Sequence, residues 1–289
     1  MTTVLLLTAT GLGVAALYFL VASGLTLIFG LMDVLNFAHG AFVGLGGYVG
    51  WTVADRLPGS PGLVFGLLAG VAAGAATAAV TQLCVIRPLY GRPLDQVLAT
   101  VGLGLAIPAL LQAVWGADAR IWILPGWLAG TVELFGARVP SVRFLLIGLA
   151  VVLLVGLRLL LGRTRAGLVV RAGVEDREMV AALGIDVRRA NLAVFALGGG
   201  AAGLGGALFG LYQGSFSPGD GTSLLVYAFV VVVLGGAGSI TGTALAAVAV
   251  GLVQQYADYA SASLGDESVV ILLAAVLLLR RRNLRGKPA

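Results

Sequence analysis

Residues 23–48 read SGLTLIFGLMDVLNFAHGAFVGLGGY. Two apolar runs flank a small polar knot of Asp33, Asn36 and His39. Asp33 is the first charged side chain, and His39 is the only histidine. Glycines follow at Gly40, Gly44, Gly46, Gly47 and Gly50. Unpaired polar groups are costly in hydrocarbon, so such a knot marks either a membrane boundary or an internal cavity. Two readings fit these residues alone. In one, the knot is a cytoplasmic turn, with Asp33 or Asn36 capping the next helix. In the other, Asp33, Asn36 and His39 line a path across the membrane.

The rest of the chain puts this stretch in a membrane. Of 289 residues, 59% are hydrophobic and 11% charged, against about 25% charged in a soluble domain. Apolar runs of about 20 residues recur from end to end, each long enough to span. The expected fold class is all-α: a polytopic integral membrane protein of about nine transmembrane helices, within a range of seven to ten, some broken or re-entrant. Residues 1–289 read as a single membrane domain. The net charge of +5 sits in loops flanking the membrane, which argues against nucleic-acid binding. Cys84 lies alone in an apolar run and reads as packing. No basic residue precedes the first apolar run, so the N-terminus does not read as a cleaved signal peptide.

Nine segments follow in order. The first covers residues 4–31, with a weak point at Ser23-Gly24, and the second residues 34–54. The third, residues 63–86, is uncharged, and its Gly66, Gly70 and Gly74 fall four apart. That spacing stacks small residues on one helix face, where another helix can approach closely. The fourth, residues 95–115, contains Pro108, a candidate kink. A mixed loop at 116–143 carries Trp122 and Trp127, which with Trp115 suit an interface belt. Segments five and six cover residues 144–161 and 191–212. From Gly221 to Ala257 no residue is charged. That run is too long for one span of about 20 residues. It divides at residues 235–242, GGAGSITG, into segments seven and eight. Segment nine, residues 268–279, ends in three arginines.

Orientation follows from the basic residues. With the N-terminus outside and nine spans, the cytoplasmic side receives fourteen Arg and Lys and the outside four, Arg56, Arg120, Arg138 and Arg143. This is a strong positive-inside bias, and it places the C-terminus in the cytoplasm. One span more or fewer would invert everything after it.

Several chemistries are excluded by what is missing. The chain has no G-x-S-x-G, no H-E-x-x-H and no Walker A element, and its one lysine, Lys287, precedes a proline. With one His and one Cys, no metal centre of ordinary ligands is expected. No catalytic residue or resident cofactor is expected either. Ion-coupled carriers place titratable groups at mid-membrane; here Asp33, His39 and Asp258 fall near predicted span ends. A path lined by backbone and small polar groups remains, with Gly235, Gly236 and Ser239 as a second candidate stretch beside Asp33, Asn36 and His39. Broken helices expose backbone groups, which are tolerated at depth only in a protein interior or wet cavity. A plain cytoplasmic turn fits residues 235–242 as well. Both the stretch at 30–40 and that at 235–242 set a glycine-marked break before an apolar helix, a hint of internal repetition.

The most charged region, residues 163–189, contains a short helical pattern at 173–185, GVEDREMVAALGI. Glu175, Asp176 and Glu178 fall in its first turn, where they favour the positive end of the dipole. Met179 and Leu183 share a face, and Gly184 supplies a left-handed stop. So short a helix is not stable alone in water. It docks either on a partner or, as an amphipathic linker, on the membrane surface.

Residues 24–42, GLTLIFGLMDVLNFAHGAF, resemble the signature of the H-type permease of branched-chain amino-acid ABC importers. In that family N-F-A-H-G follows the first long hydrophobic segment, where the related M-type permease usually differs. The resemblance extends over most of the chain, including the loop near residue 175 and the glycine-rich run near 235. It implies that residues 163–189 are a cytoplasmic coupling loop. Glu175, Asp176, Met179, Leu183 and Gly184 would form the helix that enters a groove on the ATPase, Gly184 being the closest match to the usual coupling pattern. It implies an M-type permease partner, two ABC ATPase subunits that bind the ATP, and a periplasmic or lipid-anchored substrate-binding protein. The location implied is the inner membrane of a bacterial-type cell, in contact with its lipid. Branched-chain amino acids are the leading substrate class. Urea or short amides are the nearest rival, and a stand-alone channel or carrier and a membrane scaffold are the other classes.

Overall fold

Thirty-one residues without a charge or a proline, Thr2–Met32, form one long helix, α1. At about 1.5 Å per residue it is roughly 46 Å long, more than the roughly 30 Å of a bilayer's hydrocarbon. The computed structural model describes residues 2–57, 59–164, 167–168, 187–261 and 264–284. Eight more α-helices follow among them: α2 (His39–Arg56), α3 (Ser60–Thr81), α4 (Pro93–Trp115), α5 (Ser141–Arg163), α6 (Val187–Gln213), α7 (Asp220–Gly235), α8 (Ile240–Ala260) and α9 (Leu264–Leu284). Six stretches are long and apolar enough to cross a membrane: α1, α3 with the π-helical turn Gln82–Ile86 that extends it, α4, α5, α6 and α8. The chain is an all-α polytopic membrane protein. Of the other three, α7 has only 16 residues, and α9 carries two acids in its first turn and three arginines near its end.

Contacts sort the ends of the helices onto two faces. Gly136 lies beside Thr2 and Gly13 beside Arg143, so the loop before α5 shares the near face with the start of α1. At the far face the end of α1 meets the α7–α8 turn, with Gly30 against Gly238. Helices α1 and α8 run antiparallel over their length. Gly251 packs on Ala15, and buried Thr26 and Thr243 share a hydrogen bond of 2.8 Å.

The stripe Gly66, Gly70 and Gly74 is a contact face. A Cβ on Gly66 would sit 2.8 Å from the Gly50 carbonyl oxygen, and one on Gly70 2.9 Å from that of Gly46. Gly74 meets Gly199 and Gly203 of α6. Helices in lipid associate by close van der Waals contact, and small residues permit it. α1, α2, α6 and α7 supply most of the buried core, and α3 packs against α2 and α6 on one side.

Four details differ from expectation. Ser23 and Gly24 are fully buried inside an unbroken α1, where Gly24 is a packing notch against Gly198. Cys84 is exposed, because the π-helical turn directs Gln82 and Ile86 inward and Cys84 out. Trp122 is 4% exposed and packs on Gly210, so it is a wedge in the core and no part of an interface belt. The near-face loop also holds short antiparallel ladders. β1 (Arg120–Ile121) pairs with β4 (Ser215–Phe216), and β2 (Thr131–Leu134) with β3 (Ala137–Pro140). The last two join through Phe135 and Gly136, both at positive φ (47° and 82°), as a tight type I′ hairpin requires.

Candidate functional site

Asp33 ends α1 in the left-handed region at φ 53°, while its N–H keeps the last helical bond to Phe29, 2.9 Å. The chain then turns back inward instead of starting the next helix at once. The second segment, expected from residue 34, begins at His39. Residues 33–36 form no helix. Asn36 closes the turn before the new helix, its Oδ1 accepting from the Ala38 N–H at 3.1 Å. Ala38 itself is the N-cap and no side chain caps α2, so neither Asp33 nor Asn36 is the expected cap.

The start of α2 is deep. His39 Nε2 donates to the Val21 carbonyl at 2.9 Å, a donor by necessity since a carbonyl only accepts. Val21 lies eleven residues, roughly 16 Å, before the far end of α1. Asn36 and His39 are fully buried, and Asn36 Nδ2 and His39 Nδ1 have no hydrogen-bond partner among the described residues. Phe42 packs edge-on against the imidazole at 5.9 Å.

α7 also starts inside. A Cβ on Gly40 would lie 2.6 Å from the Gly221 carbonyl oxygen, and Gly221 meets Gly44. Gly44 is twelve residues, roughly 18 Å, from the near-face end of α2. The residues before α7 dip inward with it, and fully buried Phe216 packs on Gly47 and Tyr48. The two helix starts therefore meet within the bundle, each with the positive end of its dipole turned inward. Asp220 answers that charge on α7, its carboxylate accepting from the Ser217 N–H and Oγ, both at 2.7 Å. This is the arrangement of broken helices, in which backbone polar groups sit at depth within protein.

The sequence candidates separate in space. Asp33 is exposed at the far face, whereas Asn36 and His39 lie in the interior. Gly235, Gly236 and Ser239 form the α7–α8 turn at the far face. Gly236 and Gly238 take positive φ (85° and 81°), and exposed Ser239 caps α8 by accepting from the Gly242 N–H at 3.0 Å. The two glycine-marked breaks touch at Gly30 and Gly238. Glu175, Asp176, Met179, Leu183 and Gly184 lie outside the described residues.

One polar cluster has no counterpart in the sequence reading. Tyr18 donates to Gln254 Oε1 at 2.5 Å, while Gln254 Nε2 and the Tyr227 hydroxyl both donate to Asp266 Oδ1, at 2.9 and 2.6 Å. Tyr18 and Tyr227 stack at 4.9 Å. The cluster ties α1, α7, α8 and α9 together, with Tyr18 half-way along α1, less than one helical turn from Val21. The signal available was the pair Gln254 and Gln255 in a largely apolar helix; the partners of Gln254 lie up to 236 residues away.

Residues 7–280 match the family described as branched-chain amino acid transport system, permease component. The chain is 30% identical to the high-affinity branched-chain amino acid transport system permease protein BraD of Pseudomonas aeruginosa, over 96% of this chain and 94% of that one. It is 27% identical to the corresponding permease protein LivH of Escherichia coli, with the same coverage. A probable branched-chain amino acid transport permease protein LivH of Methanocaldococcus jannaschii is 28% identical over 92% of this chain and 88% of its own. No solved structure matches the chain.

Proposed function

The chain belongs to the permease family of branched-chain amino acid transport systems, and from that membership we propose that it is the H-type transmembrane subunit of an ABC importer in the inner membrane. A substrate-binding protein delivers the solute, an M-type permease completes the path, and two ATPase subunits bind and hydrolyse the ATP. Residues 163–189 form the coupling loop. The solute is a branched-chain amino acid, the class named for the relatives.

The observation that carries the pathway is the meeting of the α2 and α7 starts inside the bundle, beside unpartnered Asn36 Nδ2 and His39 Nδ1. Interior helix starts favour anionic groups, and an amino acid presents a carboxylate. Asn36 Nδ2 adds a donor and His39 holds α2 on α1. Asp33, Gly235, Gly236 and Ser239 form the far-face mouth. The test is leucine uptake by the importer reconstituted in proteoliposomes, with and without ATP. Wild type takes up leucine only with ATP, and His39→Ala slows uptake about tenfold or more, the scale of one lost hydrogen bond with its orphaned carbonyl, while the ATPase still copurifies. ATP-independent uptake would support a carrier instead; wild-type uptake by His39→Ala would reduce His39 to packing.

The near face is external and the far face cytoplasmic, as the positive-inside bias supports. In a Cys84→Ser background, Arg138→Cys should react with an impermeant thiol reagent added outside, and Arg171→Cys and Arg285→Cys only after permeabilisation. Reaction of positions 138 and 171 from one side would sink this orientation.

A further inference from the structure

At the near face, between the end of α2, the start of α3 and residues 121–126, lies a cavity of about 410 Å³. That is within the roughly 300–1,000 Å³ of small-molecule sites. Its walls are apolar, with Trp51, Trp122, Leu63, Ile123 and Leu124 among them, and Asp55 is the one ionisable side chain among the described residues that line it. The walls are fixed. Trp51 Nε1 donates to the Ile121 carbonyl at 2.9 Å, the Arg120 guanidinium stands 5.4 Å over the Trp51 ring, and the Trp122 N–H donates to Gly214 at 2.9 Å. Two kinds of polar group stand at the rim of the cavity, with Asp55, Ile123 and Gly126 exposed, and are open to a ligand. Asp55 makes no ion pair or hydrogen bond among the described residues. The N–H groups of Ile123, Leu124 and Gly126 donate no hydrogen bond among them either.

A carboxylate, free backbone donors and an apolar wall match the three parts of an aliphatic α-amino acid: ammonium, carboxylate and side chain. We propose that this cavity is an external holding site for such an amino acid, with Asp55 taking the ammonium and the backbone of residues 123–126 the carboxylate. The site is distinct from the interior meeting of α2 and α7. It rests on the permease reading and adds to it a station between the binding protein and the path. Burial of the side chain against Trp51, Leu63 and Ile123 selects leucine, isoleucine and valine over alanine or glycine, because the transfer free energy grows with the apolar area removed from water.

The test uses the full-length permease in lipid nanodiscs without binding protein, titrated with L-leucine and read by tryptophan fluorescence, since two of its four tryptophans wall the cavity. Wild type gives a saturable change. Asp55→Asn weakens leucine about tenfold or more, the scale of a lost hydrogen bond to a charged group, yet does not weaken 4-methylpentanoate, which has no ammonium and which the Asp55 carboxylate only repels. Gly126→Leu provides a second variant. A Cβ there meets nothing within 4 Å, so the fold accommodates it while the side chain intrudes on the cavity, and leucine binding should be lost. No saturable response in wild type, or equal affinity in all three proteins, overturns the site. ATP-driven uptake by the assembled importer is measured in parallel. Normal uptake without a nanodisc response rejects the holding site alone, whereas absence of uptake by wild type rejects the permease reading.

Discussion

Gly203→Leu is expected to break the helix bundle, and Gly102→Leu to leave it intact. Gly203, on α6, is where three helices come closest. A Cβ there would abut the Gly70 carbonyl, 3.0 Å from its carbon, and lie 3.1 Å from the Gly74 Cα. On the other side Gly46 of α2 faces it: a Cβ on Gly46 would sit 2.6 Å from the Gly203 oxygen. All the atoms met are backbone, so no side-chain rotamer relieves the clash. Overpacking of a core costs about 1–3 kcal/mol when side chains can adjust; here whole helices must separate, and the loss should reach at least the top of that range. Helix association in lipid depends on this contact, since no hydrophobic force distinguishes a neighbouring helix from lipid tails. Gly102, on α4, has nothing within 4 Å of an added Cβ. Leucine there should be neutral or stabilise the helix by about 0.5–1 kcal/mol through backbone entropy. The measurement is thermal unfolding in detergent, with monodispersity on size exclusion as the second readout. Equal melting of the two variants would show that α6 is not clamped at Gly203.

The same glycines show why much of the fold was legible. A span is forced by membrane thickness to be a continuous apolar run, so a linear sequence displays it directly. Helices α3, α4, α5 and α8 fall within a few residues of the runs read from the sequence, and the stripe at Gly66, Gly70 and Gly74 marked its contact face because residues four apart share a side. The misplaced features depend on pairs distant in sequence. The late start of α2 is set by Asn36 folding back on Ala38 and by His39 reaching Val21, so no periodicity announces it. Trp122 looked like an interface residue until Gly210 supplied its socket. Gln254 finds partners on α1 and α9 that a run of helix cannot reveal. The cavity beside Asp55 joins the end of α2 to a loop some 70 residues later, and the backbone N–H groups at its edge are a kind of donor that any sequence supplies.

Loss of ATP-coupled transport should follow from Met179→Asp combined with Leu183→Asp, with the membrane bundle left standing. The residues lie outside the described part of the chain, and the expectation rests on the pattern at 173–185. Two or three helical turns cannot sustain themselves in water, because nucleation consumes most of what so few hydrogen bonds return. Such a segment orders by docking, and the face it offers is Met179 with Leu183, four residues apart. Burying two such side chains is worth roughly 3–6 kcal/mol in transfer terms before ordering entropy is subtracted. Two carboxylates in their place add a desolvation cost to the lost gain. The ATPase should therefore copurify at least about tenfold less well, or hydrolyse ATP without moving leucine. The double variant carries no change within a described helix, so its melting temperature in detergent should match wild type and external docking of the binding protein should persist. The proposed dock is a partner, not the lipid surface, and a control separates the two. Met179→Lys with Leu183→Lys keeps attraction to anionic lipid while removing the apolar face, so it should rescue a membrane-lying linker but not an ATPase contact. Wild-type copurification and coupled hydrolysis in the aspartate variant would remove this loop as the docking element. The energy for transport would then have to enter through another far-face surface, the first to examine being the exposed turn at Ser239.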